Sequence, residues 1–287
     1  MLVFLFRLLS HLPLSALHAL GAALGWLVYL ASPTYRQRLR NNLERAGYSQ
    51  HLRASIAEAG KSIAELPFIW CAPPQRVLAS VTMVNWELVR AALDARQGVI
   101  FLTPHLGCFE VSAQATAVHT RLTVMYRPPR KAALKPLMEG ARARGNLFLA
   151  PANLGGVRLL LKALKRNETV GVLPDQVPQE GEGVWADFFG RPAYTMTLPA
   201  RLQQLSRAPI IAVYAERRPR GQGYLLHFVE CGQLPEGSPQ QQARAINAAM
   251  EALIARCPAQ YLWSYQRHKA PPGVAGPTAP TDGQGPA

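Results

Sequence analysis

The chain has 287 residues, of which 49% are hydrophobic, so it can bury a sizeable core in one large domain or two modest ones. Its 31 Lys+Arg against 17 Asp+Glu give a net charge of +14. This charge predicts a negative partner: nucleic acid, an anionic membrane, an acidic protein or a phosphorylated substrate. The four cysteines form no CxxC pair and no zinc-finger spacing, which favours reduced thiols in a cytoplasmic setting.

The N-terminal segment is apolar. Residues 8–32 contain no Asp, Glu, Lys or Arg, and they exceed the length of about 20 residues that a helix needs to cross a bilayer core. No small-residue cleavage site precedes the basic run that follows, so a signal peptide is disfavoured. We expect residues 1–32 to be a membrane-anchoring helix that carries little of the chemistry, either spanning the membrane or lying on it. The arginines that follow place the bulk of the protein on the cytoplasmic side if the segment spans.

Residues 36–97 have helical composition with basic faces, and the pattern changes at residue 98. Short apolar runs then alternate with helical stretches, which is typical of an α/β protein. The predicted strands are residues 99–103, 122–126, 147–150, 169–173, 209–215 and 224–230. We predict a mixed, largely parallel sheet flanked by helices, with residues 216–223 as a hairpin loop between two antiparallel strands.

The chain ends in a stretch that is rich in Pro and Gly, residues 270–287, which we expect to be disordered. The predicted organisation is therefore an N-terminal membrane anchor, an α/β catalytic domain over residues 33–269 and this tail.

Polar side chains follow four successive predicted strands. They are His105 and Glu110 after the first, Arg127 and Arg130 after the second, Asn153 after the third, and Asp175 and Gln176 after the fourth. Each alone has an ordinary interpretation, such as a helix cap or a solvated arginine. Because ligands collect at the carboxyl ends of parallel strands, the set favours a catalytic crevice.

The residue types restrict the chemistry. The sequence has no GxSxG, HExxH or GxGxxG motif, so a serine nucleophile, a zinc protease site and a dinucleotide site are disfavoured. Cys108 is an alternative thiol nucleophile, but no second histidine is near it in sequence. His105 is the better candidate, as a general base beside a helix that begins near Gly107, with Glu110 either orienting it or binding the acceptor. A base next to arginines that hold phosphate indicates acyl transfer to a phosphorylated alcohol.

Several motifs resemble one family. The segment "HLGCFE" is similar to the H-x4-E motif of glycerolipid acyltransferases, in the form found in the lipid A biosynthesis (late) acyltransferases. The resemblance continues through "YRPPR" (126–130), "RARG" (142–145), "LPDQ" (173–176), "DFFGRPAYT" (187–195) and "YLWSYQRHK" (261–269), in the family's order and over nearly all of the chain except the tail. Two departures are visible. Cys108-Phe109 replaces the usual Asn-Trp, and Leu198-Pro199 replaces an expected glycine.

The resemblance implies that His105 is the catalytic base, that Glu110 is its partner, and that Arg127, Asp175 and Gln176 shape the site. It also implies an inner-membrane enzyme that moves a fatty acyl chain from an acyl-carrier-protein thioester to a hydroxyl of a lipid A precursor, with its catalytic domain in the cytoplasm. We expect a monomer that needs no metal or cofactor.

Two alternatives stay open at this point. One is acyl transfer to another lipid, such as a lysophospholipid or an amino-acid lipid. The other is a non-catalytic basic protein that binds nucleic acid or membrane, suggested by the basic run from Arg121 to Arg144. Nucleic acid is disfavoured as a partner because stacking aromatics do not alternate with these basic residues.

Overall fold

The computed structural model describes residues 2–127, 135–142 and 145–277. The helices are α1 (Leu2–Leu9), α2 (Leu14–Ala31), α3 (Pro33–Arg45), α4 (Leu52–Ala64), α5 (Leu66–Cys71), α6 (Pro74–Leu78), α7 (Trp86–Asp94), α8 (Phe109–Thr116), α9 (Lys135–Arg142), α10 (Leu154–Lys165), α11 (Leu198–Ser206) and α12 (Pro239–Ile254). The strands are β1 (Val81–Val84), β2 (Val99–Leu102), β3 (Leu122–Tyr126), β4 (Leu147–Pro151), β5 (Thr169–Val172), β6 (Gly183–Phe188), β7 (Arg191–Met196), β8 (Ile210–Arg217) and β9 (Tyr224–Glu230).

Within these ranges, seven strands form one sheet in the order β1-β9-β8-β2-β5-β3-β4. All neighbours run parallel except β8 and β9, which form the antiparallel pair predicted around the hairpin loop. The predicted α/β class and the largely parallel sheet are confirmed. The interpretation of residues 36–97 as helical was wrong at β1, whose pairing with Tyr224–His227 of β9 depends on a contact across the fold.

The central strand β2 shows why the sheet needs helices on both faces. All four of its residues are buried. Val99 and Phe101 belong to one apolar cluster together with side chains of α7 and α8. Ile100 and Leu102 belong to a second cluster with α10, α11 and α12. The two-residue period of the strand therefore sends alternate side chains into two separate cores, as a covered parallel sheet requires.

A two-stranded hairpin, β6–β7, was not predicted as strands, although the motif "DFFGRPAYT" lies within it. Its turn is Phe189-Gly190, and both residues have positive φ, 49° and 70°. Two left-handed residues at a two-residue turn match the right-handed twist of a hairpin. The hairpin packs against α12, where the buried Asn247 side chain donates to the Asp187 carbonyl at 2.8 Å.

The predicted N-terminal anchor consists of two helices, α1 and α2, separated at residues 10–13, where Pro13 precedes α2. Helix α2 is long and apolar enough to cross a membrane. One of its faces packs on α4, where Gly21 and Gly25 meet Gly60. A Cβ at Gly60 would lie 1.9 Å from the Gly21 carbonyl oxygen, so the close approach requires glycine.

The opposite face of the two N-terminal helices is exposed and apolar. Its members are Phe4, Leu5, Leu8, Leu20, Leu24, Trp26, Leu27, Val28 and Leu30. At the other end of the chain, the Trp185 indole donates to the Ala275 carbonyl at 2.9 Å, so this part of the predicted tail contacts the hairpin. Residues 278–287 lie outside the described residues, and the domain boundaries stay a prediction.

Candidate active site

A cavity of about 860 Å³ opens at the carboxyl ends of β2, β3, β4 and β5. Five of the predicted site residues line it: His105, Glu110, Arg127, Asn153 and Gln176. Asp175 lies buried behind His105, and Arg130 falls outside the described residues. The strands that were predicted to share one edge therefore deliver their polar residues to one site.

The loop between β2 and α8 holds His105 by its backbone. The His105 amide donates to Asp175 Oδ2 at 2.7 Å, and the Leu262 amide donates to the His105 carbonyl at 3.1 Å. Gly107 turns the chain with φ of +60°, and a Cβ there would lie 1.9 Å from the Ala215 carbonyl oxygen. The glycine of the motif is thus required both by conformation and by the close approach of β8.

His105 and Asp175 form a buried pair. Asp175 Oδ1 lies 2.8 Å from His105 Nδ1, and the two side chains are 2% and 11% exposed. Burial alone raises the pKa of Asp175, but the His105 ring and amide outweigh it, so the pKa lies below its ordinary value. The ionised carboxylate accepts a hydrogen bond from the Nδ1–H group of His105. This sets the tautomer in which Nε2 is the basic atom of the neutral ring.

The basic atom faces Gln176. The side-chain nitrogen of Gln176 lies 3.0 Å from His105 Nε2 and donates to it in that tautomer. Gln176 also lines the cavity. A hydroxyl that replaces the Gln176 amide in this hydrogen bond would present its proton to the base.

Glu110 has different partners from those expected. Its carboxylate accepts from both Arg142 Nη2 and Arg142 Nε, the latter at 3.0 Å, and from the Trp70 indole at 3.2 Å. The carboxylate that orients His105 in this structure is therefore Asp175. Glu110 lies on the cavity wall as a charged anchor for Arg142.

Arg142 is a site residue that the sequence reasoning missed, although the motif "RARG" contains it. It lines the cavity, and its guanidinium lies 5.7 Å from the centre of the Tyr126 ring. Only the pairing with Glu110, 32 residues away, reveals its position. Arg127 is exposed at the cavity, and the Asn153 side chain accepts from the Gly156 amide at 3.1 Å as the N-cap of α10.

The structure disfavours Cys108 as a nucleophile. The residue is 2% exposed, and burial together with the nearby Glu65 carboxylate raises the pKa of its thiol well above the ordinary value. A neutral buried thiol is a poor nucleophile. Its backbone instead attaches the loop to β8, because the Cys108 amide donates to the Ala215 carbonyl at 2.8 Å.

A second set of polar and charged residues is buried beneath the same loop. We call these residues the buried cluster: Glu65, Arg217, His18 and Tyr224. Arg217 donates to Glu65 at 2.7 Å and to the Gly107 carbonyl at 2.8 Å. His18 of α2 and the Tyr224 hydroxyl contact Glu65 at 3.1 Å and 3.0 Å. Burial raises the pKa of Glu65, but Arg217 and His18 outweigh it and lower the pKa to about 2. The presence of His18 argues against a leader that is independent of the site.

Comparison with known proteins agrees with this geometry. The family model described as "Bacterial lipid A biosynthesis acyltransferase" matches residues 1–270. The chain is 25% identical to the lipid A biosynthesis lauroyltransferase of Escherichia coli strain K12 over 276 residues, which cover 92% of this chain and 89% of that protein. It is 27% identical to the palmitoleoyltransferase of the same organism over 279 residues, covering 91% and 88%. A Haemophilus influenzae lipid A biosynthesis acyltransferase is 28% identical over 189 residues, covering 64% and 57%.

The match spans the leader, the sheet and every described site residue. The matched range includes the H-x4-E loop and the Asp175-Gln176 pair that the fold brings to it. This protein is an acyltransferase that belongs to the bacterial lipid A biosynthesis acyltransferase family.

Proposed function

We propose that this enzyme transfers a fatty acyl chain from an acyl-carrier-protein thioester to a hydroxyl of a lipid A precursor, as a secondary acylation in lipopolysaccharide biosynthesis. The observation that carries the proposal is the His105–Asp175 pair, with Nε2 available at the wall of a large cavity. General-base catalysis without a protein nucleophile needs this arrangement and no further covalent group.

The proposed reaction uses the residues as follows. The acceptor hydroxyl displaces the Gln176 amide and gives its proton to His105 Nε2 while its oxygen attacks the thioester carbonyl. Asp175 stabilises the imidazolium that forms. The C–S bond then breaks, and the proton on Nε2 passes to the departing thiolate, so that an ester and a free thiol are produced.

The cavity supports a substrate that is both apolar and charged. Its volume lies in the range of sites that enclose most of a small ligand. Aliphatic side chains form much of the wall, among them Leu161, Leu173 and Leu202, while Arg127 and Arg201 are the exposed cations at its edge. Relatives named for lauroyl and palmitoleoyl transfer are similarly distant, so identity does not select the chain length.

The N-terminal helices support attachment to the inner membrane. Helix α2 turns an apolar face outward and packs its other face on α4, which carries Arg53, Glu58 and Lys61. Spanning would draw these charges towards the bilayer core, so the packing favours a helix that lies in the interface with the catalytic domain on the cytoplasmic side. We propose that the enzyme acts there as a monomer.

Donor choice tests the proposal. Full-length enzyme in neutral detergent micelles is assayed on a lipid A precursor with either acyl-carrier-protein or acyl-coenzyme A as donor, at 0.1 M and 1 M salt. We expect the carrier protein to be much the better donor, and its advantage to fall with salt as the screening length shortens from about 10 Å to about 3 Å.

Equal use of both donors without a salt effect would favour the lysophospholipid alternative. Lipid mass spectrometry on cells with and without the gene identifies the acceptor independently. An unchanged lipid A, with a change in another lipid class, would contradict the proposed acceptor.

A further inference from the structure

A second cleft lies apart from the catalytic cavity, between α3, β7 and the segment 261–268. It is small and open, with a volume of about 20 Å³, which holds one or two water-sized groups. Four of the residues that line it carry guanidinium or imidazole groups: Arg45, Arg191, Arg267 and His268. No Asp or Glu is among the described residues that line it.

The positive charge in this cleft is only partly compensated, by the electrostatic effect of Asp175, which lies outside its lining, on Arg267. No ion pair recorded for the described part of the chain includes Arg45, Arg191 or Arg267. Arg267 is 3% exposed. Among the described residues its hydrogen-bond acceptors are all neutral: the Tyr194 carbonyl, the Thr195 hydroxyl and the Asn247 amide oxygen. Its Nε is buried without a hydrogen-bond partner. Buried charges of this kind are normally paired.

The pKa of His268 reflects the positive charge around its ring. Burial and, to a lesser extent, Arg191, Arg267 and Arg45 lower the pKa of its ring to about 4, against the hydrogen bond to the Pro192 carbonyl, which raises it. The pKa of Arg191 is also lowered, by burial and by Arg45. A carboxylate close to the hairpin, Glu251, does not relieve the charge, because it accepts from Arg244 and from the Phe189 amide.

The segment 261–268, which lines the cleft, also borders the catalytic site. Leu262 donates to the His105 carbonyl, and the Tyr265 hydroxyl accepts from the amide of Val177, which lines the cavity.

We propose that this cleft binds a phosphate group, with Arg45 and Arg191 as charged donors and His268 as a third donor. Arginine is suited to this ligand because its planar fork donates to two oxygens of one anion. The Nδ1–H group of His268 donates a hydrogen bond to the Pro192 carbonyl at 3.1 Å. When the ring is protonated, its Nε2–H group becomes the donor to phosphate. The identification of this phosphate with that of the lipid acceptor rests on the proposed function, whereas phosphate binding itself does not.

Histidine-ring NMR of the full-length protein in neutral detergent micelles tests the binding. His268 is titrated alone, with inorganic phosphate, with phosphatidic acid and with phosphatidylglycerol in the micelle, each against chloride at equal ionic strength. An opposite charge within reach should raise the His268 pKa by about 1 to 3 pH units. The Arg191→Gln and Arg45→Gln variants should reduce this rise, while Arg90→Gln, an exposed arginine on α7, should keep it.

The three probes distinguish the possible sources of the phosphate group. A response to inorganic phosphate and to phosphatidic acid, but not to phosphatidylglycerol, indicates a site for a phosphate monoester; a response to inorganic phosphate alone indicates the free ion, and each supports a phosphate site. If no probe moves the His268 pKa, or if Arg191→Gln and Arg45→Gln both respond like the unmodified protein, the proposal is overturned.

Kinetics place the phosphate on the acceptor. Losing one charge-assisted contact in Arg191→Gln should raise KM for a phosphorylated acceptor by about tenfold or more and leave kcat nearly unchanged, because Arg191 lines a separate cleft and not the catalytic cavity. A dephosphorylated acceptor should show no difference between Arg191→Gln and Arg90→Gln. Equal KM values for both acceptors, with NMR binding intact, would remove the acceptor assignment and retain the phosphate site.

Discussion

Two histidine–carboxylate pairs lie near the loop between β2 and α8, and they differ in the further partners of each pair. His105 and Asp175 are 11% and 2% exposed, and His105 Nε2 meets the exchangeable Gln176 amide at the cavity. His18 and Glu65 are 6% and 1% exposed, and Glu65 is shared with Arg217 and Tyr224. We propose that the first pair supplies the catalytic base, whereas the second pair holds the loop through Arg217, which donates to the Gly107 carbonyl. His105 has a ring nitrogen at the cavity wall, as the proposed base requires.

The largest expected effect comes from removing the base. His105→Ala should lower the rate of acyl transfer by about 10²–10⁴-fold, the usual contribution of a positioned general base, and should also lower the thermal stability, because it removes a partner of the buried Asp175. His18→Ala should change stability more than the chemical step, because its ring contacts Glu65 and no cavity residue. Turnover in micelles and thermal unfolding of both variants measure this contrast. A His105→Ala enzyme that keeps more than about a tenth of the rate would refute the base assignment.

The next effect separates the two carboxylates near His105. Asp175→Asn removes the acceptor that sets the tautomer, so the rate should fall by about 10²-fold or more, mainly in kcat. Glu110→Gln should act through Arg142 and change KM together with kcat. The Asp175→Asn/His105→Ala double variant should be little worse than His105→Ala, because the pair acts as a unit. If Glu110→Gln instead shows this non-additivity with His105→Ala, Glu110 is the functional partner.

The buried cluster should affect stability more than chemistry. Arg217→Met leaves Glu65 buried without its cation, a change of about 3–5 kcal/mol in the free energy of unfolding. The double variant Glu65→Leu/Arg217→Met should recover much of this loss, because an apolar pair avoids the unpaired charge. Denaturant unfolding measures both. A double variant no more stable than Arg217→Met would show that the lost contact to the Gly107 carbonyl dominates.

The same variants have a pH signature, the smallest effect of the series. The pKa of Glu65 is about 2 in the folded chain and 4.5 ordinarily, so the unfolded chain takes up the proton first as the pH falls. Its contribution is complete above about pH 4.5 and is lost on descending towards pH 2. The Glu65→Leu/Arg217→Met variant should show a flatter loss of stability over this range. Asp175 and Glu168 should contribute to the slope that remains, since the pKa of each is also lowered.

Much of the fold was predictable because it depends on local patterns. The apolar runs 99–103 and 169–173 agree with the observed strands β2 and β5 to within one residue. Parallel strands necessarily bring the residues that follow them to one edge of the sheet. Strand β1 was missed because its four residues are stabilised by pairing with β9, more than 140 positions along the chain. The β6–β7 hairpin was missed because its turn uses a left-handed Phe189, which sequence patterns rarely indicate.

The sequence by itself determined six of the seven strands of the described sheet, the apolar leader, the edge at which His105, Asp175 and Gln176 meet, and the family motifs. Only the tertiary structure decided the pairings: Asp175 rather than Glu110 for His105, Arg142 for Glu110, and His18 with Arg217 for Glu65. The physical reason is that a strand or helix depends on the order of neighbouring residues, whereas a hydrogen bond or ion pair depends on distances of about 3 Å between side chains that lie tens of residues apart. The surroundings then separate the two pairs, because a histidine and a carboxylate beside a cavity can reach a substrate, whereas the same residue types within a core stabilise the fold.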